Sequence, residues 1–249
     1  QQDERQPDHD HLSGDTSTVE PRPLSPVVSD AQQKARWQAI ALLLPFSSCA
    51  KEKAVLVPKS IEKNNMEIQK DWDVATFAGG CFWCVESCFN MLKGVDSVIS
   101  GYSGGHKANP TYEEVCTGDT GHAEAIEISF DANAISFGEL LELFFATHDP
   151  TTLNRQGNDA GPQYRSAVFY HNAEQKQKAE QYKAALDKSG AFDNPIVTTI
   201  EAYKNYSEAE NYHQNYYNNN KNSNPYCYYV IKPKLEKFDK VFKDKKRKN

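Results

Sequence analysis

The chain lacks what would mark it for a membrane or a nucleic acid. The apolar run Ala39–Phe46 is far too short to cross a bilayer as a helix, which takes about 20 apolar residues. Net charge is -6, and no clustered Lys and Arg surface offers itself to phosphates, so a nucleic-acid partner is not expected. The only basic run, Lys240 to Lys248, reads as a solvated chain end. No internal repeat is present. A single Cys-x-x-Cys occurs, with no second one and no His-x-x-x-His to complete a zinc site. Hydrophobic residues make up 39%, near the low edge for a globular chain.

That low average hides a split. Residues 1–33 are acidic, proline-bearing and nearly free of aromatics, and such a segment cannot bury enough apolar surface to offset its ordering entropy. Residues 34–49 then run from Lys34 and Arg36 through the apolar stretch to Ser47, Ser48 and Cys49. A basic start, a short apolar run and small residues resemble a secretory signal, and the Ser-Ser-Cys ending resembles a bacterial lipoprotein site with Cys49 as the lipid carrier. A short amphipathic or fortuitous apolar stretch is the alternative. The two readings leave location open between the cytoplasm and a lipid-anchored periplasmic form. Residues 51–70 read as a tether. The expected organisation is an N-terminal extension over 1–70, a catalytic domain over 71–243 and a basic tail over 244–249. About 180 residues suffice for one good core.

From Trp72 onward the patterns are regular. A short strand over Asp73–Gly80 ends in paired glycines. A helix is predicted over Cys81–Gly94, with Gly94 as its stop. Strands are predicted over Val95–Gly101 and, from strict alternation, His122–Asp131. Ser136 and Glu139 form a capping box for an apolar helix. A strand over Arg165–His171, a helix capped by Asn172 and Gln175 through Lys188, and a strand over Pro195–Ala202 follow. Ser207 and Glu210 read as a second capping box. Interleaved strands and helices place the fold in the α/β or α+β class with a mixed sheet.

The chemistry concentrates at Gly79–Glu86. A strand, two glycines, then Cys81 opening a helix would put a thiol at a helix N-terminus, where the dipole and unpaired N–H groups favour a thiolate. Paired glycines allow a sharp turn and close approach of a ligand. Phe82 and Trp83 could wall an apolar pocket. These residues alone leave four readings: a core cysteine, a zinc site, a thioredoxin-like dithiol, and a nucleophile with a resolving thiol.

"GGCFWCVE" (Gly79–Glu86) resembles the signature of the peptide methionine sulfoxide reductase A family. The similarity continues in "GYSGGHKANPTYEEVCTGDTGHAEA" (Gly101–Ala125), "HDPTTLNRQGNDAGPQYRSAVF" (His148–Phe169) and "NPYC" (Asn224–Cys227), in order and at family spacing over about residues 72–240. The resemblance implies a mixed sheet packed with helices in a two-layer, ferredoxin-like core. It implies reduction of methionine S-sulfoxide, free or in proteins, as repair after oxidative stress. Neither a metal nor an organic cofactor is implied.

By the same resemblance, Cys81 matches the nucleophile, and Phe82 and Trp83 the methyl pocket. Glu124 matches the carboxyl group that donates to the sulfoxide oxygen, Tyr112 and Tyr164 the phenols that bind that oxygen, and Asp159 a residue that helps hold the substrate. The reaction would leave a sulfenic acid on Cys81, which a second thiol converts to a disulfide for a thioredoxin-type reductant. Cys227 and Cys84 are both candidates for that thiol, with Cys227 slightly preferred and expected on a mobile tail. Cys88 and Cys116 read as packed core thiols. The stretch Tyr203–Tyr229, rich in Tyr and Asn, is expected to pack around the active site. A monomer is expected. Two other classes compete. A general thiol-disulfide oxidoreductase would use Cys81 and Cys84, and a zinc-binding module would use Cys81, Cys84 and Cys88, but neither gives Glu124, Tyr112 and Tyr164 a task.

Overall fold

A computed structural model of the protein describes residues 72–247. The proposed signal segment, Cys49 and the tether lie outside the described residues.

The sheet is built on β1 (Asp73–Gly79), flanked on one side by β3 (Ala123–Phe130), β2 (Val95–Ser103) and β8 (Tyr206–Glu208), and on the other by β6 (Ser166–Tyr170) and β7 (Thr199–Ala202). Its order is β7-β6-β1-β3-β2-β8. All pairs are antiparallel except β6–β7, so the sheet is mixed. A short hairpin of β4 (Arg155–Gln156) and β5 (Asp159–Ala160) stands apart.

Side-chain alternation divides the sheet into two faces. Phe77 stacks on Phe144 with centroids 4.9 Å apart and lies 5.9 Å from Phe89, so this face of β1 receives α1 (Phe82–Phe89) and α3 (Phe137–Thr147), the short α2 (Tyr112–Cys116) lying between them in sequence. The helix α4 (Ala173–Lys188) joins through Tyr182, stacked on Phe145 at 5.5 Å. On the opposite face Ala78, Ala123, Ala125, Ala167 and Phe169 form a small cluster covered by Tyr203 and Tyr206. The architecture is therefore one helical layer on a mixed sheet, in agreement with the expected class.

Local signals that act over three residues hold. Ser136 accepts from the Glu139 amide, and the Glu139 carboxylate accepts from the Ser136 amide. Asn172 accepts from the Gln175 amide at 2.8 Å.

Four expectations do not hold. First, α1 stops at Phe89 rather than Gly94. The chain turns over residues 90–94, and Gly94 (φ 80) instead accepts the Asp131 amide that closes the far end of β3. Second, residues 195–198 do not join β7, because the Val197 amide is taken by the Pro150 carbonyl at 2.9 Å. Third, Ser207 and Glu210 form no capping box. Ser207 is paired with Tyr102 in the ladder, and the Glu210 carboxylate accepts from the Tyr102 hydroxyl and the Tyr112 amide, both at 2.9 Å. Fourth, the basic stretch expected to be solvated is docked as far as Arg247. A π-helical turn (Cys227–Ile231), which buries Cys227 and Ile231, leads into α6 (Lys232–Val241), which buries Phe238. Each burial contributes about 1.5–3 kcal/mol. The basic residues beyond it run back along the loop after α1. Lys245 O accepts from the Lys93 amide at 2.8 Å, and the Arg247 guanidinium donates to Leu92 O at 2.9 Å. Between β8 and the π turn lies α5 (Tyr216–Asn220).

Candidate active site

The strand β1 ends at Gly79 because the chain must turn tightly there. A Cβ on Gly79 would meet the rings of Phe144 and His148 at 3.0 and 3.2 Å, and one on Gly80 would lie 2.6 Å from the Gln156 side chain. Gly80 also has φ 84, a conformation that side chains with a Cβ rarely adopt. The turn delivers Cys81 to the N-cap of α1, where its carbonyl accepts from the Cys84 and Val85 amides. All eight residues of α1 are buried, so the helix is a fixed platform. Cys81 is only 8% exposed.

Alternation along β3 sends Glu124, Ile126, Ile128 and Phe130 to the helical face. Glu124 thereby reaches the first turn of α1, and its Oε2 accepts from the Phe82 amide at 3.0 Å. It is 2% exposed. Burial pushes its carboxyl up to about 8, with the charges of Asp159 and Cys84 adding to the effect and the Phe82 N–H opposing it. At neutral pH this carboxyl keeps its proton. The phenols of Tyr112 and Tyr164 are both held well above their ordinary range, by burial first and the neighbouring Glu124 second. Both therefore remain donors. Asp159, on β5, accepts from the Tyr226 hydroxyl at 2.9 Å, and that hydroxyl lies 3.9 Å from the Cys84 sulfur.

Phe82 and Trp83 adjoin with centroids 6.1 Å apart. Tyr216 lies parallel to the Trp83 ring at 3.6 Å, and Tyr226 meets it edge-on at 5.9 Å. The Trp83 indole N–H donates to His213 Nδ1 at 3.1 Å. Because Nδ1 accepts, the neutral ring carries its proton on Nε2, which faces the Glu210 carboxylate at 3.8 Å. His213 also packs on Phe82 and Tyr112 with centroids 5.0 and 4.5 Å away. The Tyr- and Asn-rich stretch thus packs on the site, as expected. Sequence reasoning nevertheless missed His213, Tyr216 and Tyr226 as individual contributors. The density of aromatics there was the available signal, and it did not single out positions. Glu86, quoted only within the signature, accepts the Asn215 amide at 2.7 Å and so anchors the start of α5 behind Trp83. Burial raises its carboxyl to about 7.

The thiols differ from expectation. All described cysteines are free. Cys84 follows Cys81 by three residues on α1, and the two thiols act on each other's ionisation. Burial raises Cys81, and the neighbouring Cys84 raises it further. Cys84 is lowered, first by its interaction with Cys81, against burial, and then by the Lys234 ammonium. The two thiols therefore shift in opposite directions, with Cys84 the more acidic. Desolvation and the second thiol outweigh the helix dipole at Cys81. Cys227 is fully buried in the π turn, not on a mobile tail, and its thiol is raised by burial and by the charge on Cys84. Cys88 is buried as expected, whereas Cys116 is exposed beside Tyr112. Among the described residues no group of three or more His, Cys, Asp or Glu side chains is arranged to hold a metal ion.

The site thus combines a buried thiol, a protonated carboxyl, two phenol donors and an aromatic wall. It can present a nucleophile to a soft electrophilic centre while donating protons to an adjacent oxygen. Comparison with known proteins points the same way. Residues 73–246 match the family model described as peptide methionine sulfoxide reductase. A peptide methionine sulfoxide reductase of Trichodesmium erythraeum is 54% identical over 172 residues, covering 69% of this chain and 97% of the relative. One of Saccharolobus solfataricus is 53% identical over 173 residues, covering 70% and 96%. Among solved structures, reduced Mxr1 from Saccharomyces cerevisiae superposes with a TM-score of 0.57 at 33% identity, covering 68% of this chain and 95% of that one. Methionine sulfoxide reductase A of Corynebacterium diphtheriae superposes with a TM-score of 0.56 at 34% identity, covering 63% and 78%.

Proposed function

The chain belongs to the peptide methionine sulfoxide reductase family, and from that premise we propose how its own residues reduce a methionine S-sulfoxide. The substrate methyl group lies against Phe82 and Trp83. The sulfoxide oxygen accepts from the Glu124 carboxyl and from the Tyr112 and Tyr164 hydroxyls, and Asp159 helps hold the substrate. Proton donation to that oxygen makes the sulfur electrophilic enough for attack by Cys81. The oxygen passes to Cys81 as a sulfenic acid and methionine leaves. As the nucleophile attacks, the Cys81 thiol proton replaces the one that Glu124 gives to the oxygen, so the sulfenic acid carries one net proton and the carboxyl is restored.

Cys84, three residues along the same helix, is the thiol assigned to resolve the sulfenic acid, and Cys227, buried in the π turn, can take over the disulfide by exchange. A thioredoxin-type dithiol then restores the thiols. The substrate is an oxidised protein or free methionine sulfoxide. One chain supplies every group named, which supports action as a monomer, with residues 71–243 as the catalytic unit. Membrane anchoring through a lipidated Cys49 is a separate proposal. A mature protein retaining unmodified residues before Cys49 would sink it, by mass measurement.

The observation that carries this reading is Glu124. A buried, protonated carboxyl hydrogen-bonded to the amide next to a thiol has a task in sulfoxide reduction and none in plain disulfide exchange. The test is single-turnover reduction of each methionine sulfoxide epimer by pre-reduced protein, beside Cys81→Ser. Release of one methionine per protein from the S epimer alone, abolished in the variant, is expected. Methionine release by Cys81→Ser at the wild-type rate would overturn the assignment of the nucleophile.

A further inference from the structure

The plane of the Trp83 indole is not set by α1 alone. The Tyr216 ring lies parallel to it, with centroids 3.6 Å apart and planes 5° from parallel. Tyr216 opens α5, a helix of 5 residues that is too short to hold its own position without tertiary support. The support comes from the residues just before it. Asn215 has φ 52, a left-handed conformation that a residue with a Cβ keeps only where its surroundings impose it. Its amide is held by the Glu86 carboxyl, whose Oε1 accepts at 2.7 Å. Glu86 stands three residues after Trp83 on α1, so the two share a face of that helix. On the other side, the Gln214 side chain takes the place of a strand at Ser100 of β2. It accepts from the Ser100 amide and donates to the Ser100 carbonyl, both at 2.9 Å. The far end of the Tyr216 ring is fixed as well, because its hydroxyl accepts from Asn224 Nδ2 at 2.8 Å. Glu86 is 2% exposed, and its Oε2 is buried with no hydrogen-bond partner among the described residues. Taking a carboxyl out of water with one oxygen unpaired is unfavourable, and an apolar side chain of similar volume would avoid that cost. What an apolar side chain could not supply is the acceptor for Asn215.

We propose that Glu86 is a positioning residue that sets specificity for an S-methyl sulfoxide, by holding the Asn215 amide so that Tyr216 stacks on Trp83 and fixes the wall against which the substrate methyl lies. The inference rests on Phe82 and Trp83 forming the methyl pocket. Glu86 takes no part in proton transfer to the sulfoxide oxygen and acts only through Tyr216 and Trp83. A pocket discriminates a methyl from an ethyl group only if its walls do not yield, since the cost of an added methylene is the cost of displacing them. The indole is held at its N–H by His213 and over its face by Tyr216. Without the Glu86 carboxyl, the Asn215 amide loses its acceptor, the left-handed turn loses what imposes it, and Tyr216 is free to slide from the indole. The pocket then widens and binds the methyl group less tightly.

The test is single-turnover reduction by pre-reduced protein over a range of concentrations of methionine S-sulfoxide and, separately, ethionine S-sulfoxide. Wild type is expected to prefer the methyl compound by about 10–200-fold in the ratio of saturating rate to half-saturating concentration. In Glu86→Ala the half-saturating concentration of methionine S-sulfoxide should rise by about tenfold with the saturating rate within about twofold, and the methyl preference should shrink by about tenfold. Glu86→Gln, which keeps a carbonyl oxygen for the Asn215 amide, should stay within about threefold of wild type on both counts. Tyr216→Ala should lose the preference as Glu86→Ala does, and the double variant should be no worse than Tyr216→Ala alone, because both act through one contact. An unchanged methyl preference in Tyr216→Ala would overturn the proposal, and that result does not depend on whether Glu86→Ala folds. So would an unchanged preference in folded Glu86→Ala, additive losses in the double variant, or an equal loss in Glu86→Gln. Equal use of the two sulfoxides by wild type would refute the methyl pocket and the inference with it. Failure of wild type to release methionine at all is a distinct result that would refute the reductase mechanism itself.

Discussion

Replacing Glu124 by Gln should cost activity and add stability at once. The carboxyl ionises near 8 in the fold against an ordinary value of 4.5, mainly because it is buried. Between those values the unfolded chain has lost its proton and the folded chain retains it. The folded state binds the extra proton, so stability falls as pH rises from about 4.5 to about 8 and is level above that. At pH 7 the loss spans roughly 2.5 units, or about 3 kcal/mol as an upper figure. A glutamine carries no such penalty, and its carbonyl can still accept from the Phe82 amide. Glu124→Gln should therefore match wild type in urea unfolding at pH 4 and exceed it by up to about 3 kcal/mol at pH 7. It should also lose the proton delivered to the sulfoxide oxygen, slowing single-turnover methionine release by about 10²–10⁴-fold. In wild type the same release should fall by about tenfold between pH 7 and pH 9 as Glu124 ionises. A variant that turns over within about threefold of wild type would refute Glu124 as the acid. Equal stability of the two proteins at both pH values would refute its protonated, buried state.

Two further outcomes follow from the packing around the site. His213→Phe keeps a ring against Phe82 and Tyr112 but leaves the buried Trp83 N–H without its acceptor; a loss of about 1–3 kcal/mol in urea unfolding is expected, with KM rising more than kcat falls as the methyl pocket loosens. Phe238→Ala should cost about 3–5 kcal/mol and detach α6, read as protease sensitivity at the C-terminal end; unchanged protection would show that the helix is held by something other than its buried face.

What could be read in advance depended on how far apart the interacting residues are. The Ser136–Glu139 and Asn172–Gln175 caps act within one turn, so residue type and spacing suffice. The strand–Gly-Gly–Cys–helix junction is equally local, because Gly80 must adopt φ 84 and Cys81 must follow it. The alternation over β3 also showed which side chains share a face, though not which face would carry the helices. The Ser207–Glu210 pair has the same spacing as a real capping box, yet it failed because β2 offered Ser207 a ladder and Tyr102 offered Glu210 a buried hydroxyl.

By itself, then, the sequence determined the helix caps, the turn that exposes Cys81 to the first turn of α1, and the residue types needed for sulfoxide chemistry. Only the tertiary structure decided how they act together. The Glu124–Phe82 bond spans 42 positions and the Trp83–His213 bond 130, distances at which spacing carries no information. The same holds for charge. A helix N-terminus alone favours a thiolate at Cys81, but burial and the neighbouring Cys84 reverse that preference. Desolvation and Coulomb energy depend on the surroundings in three dimensions, and no local pattern encodes them.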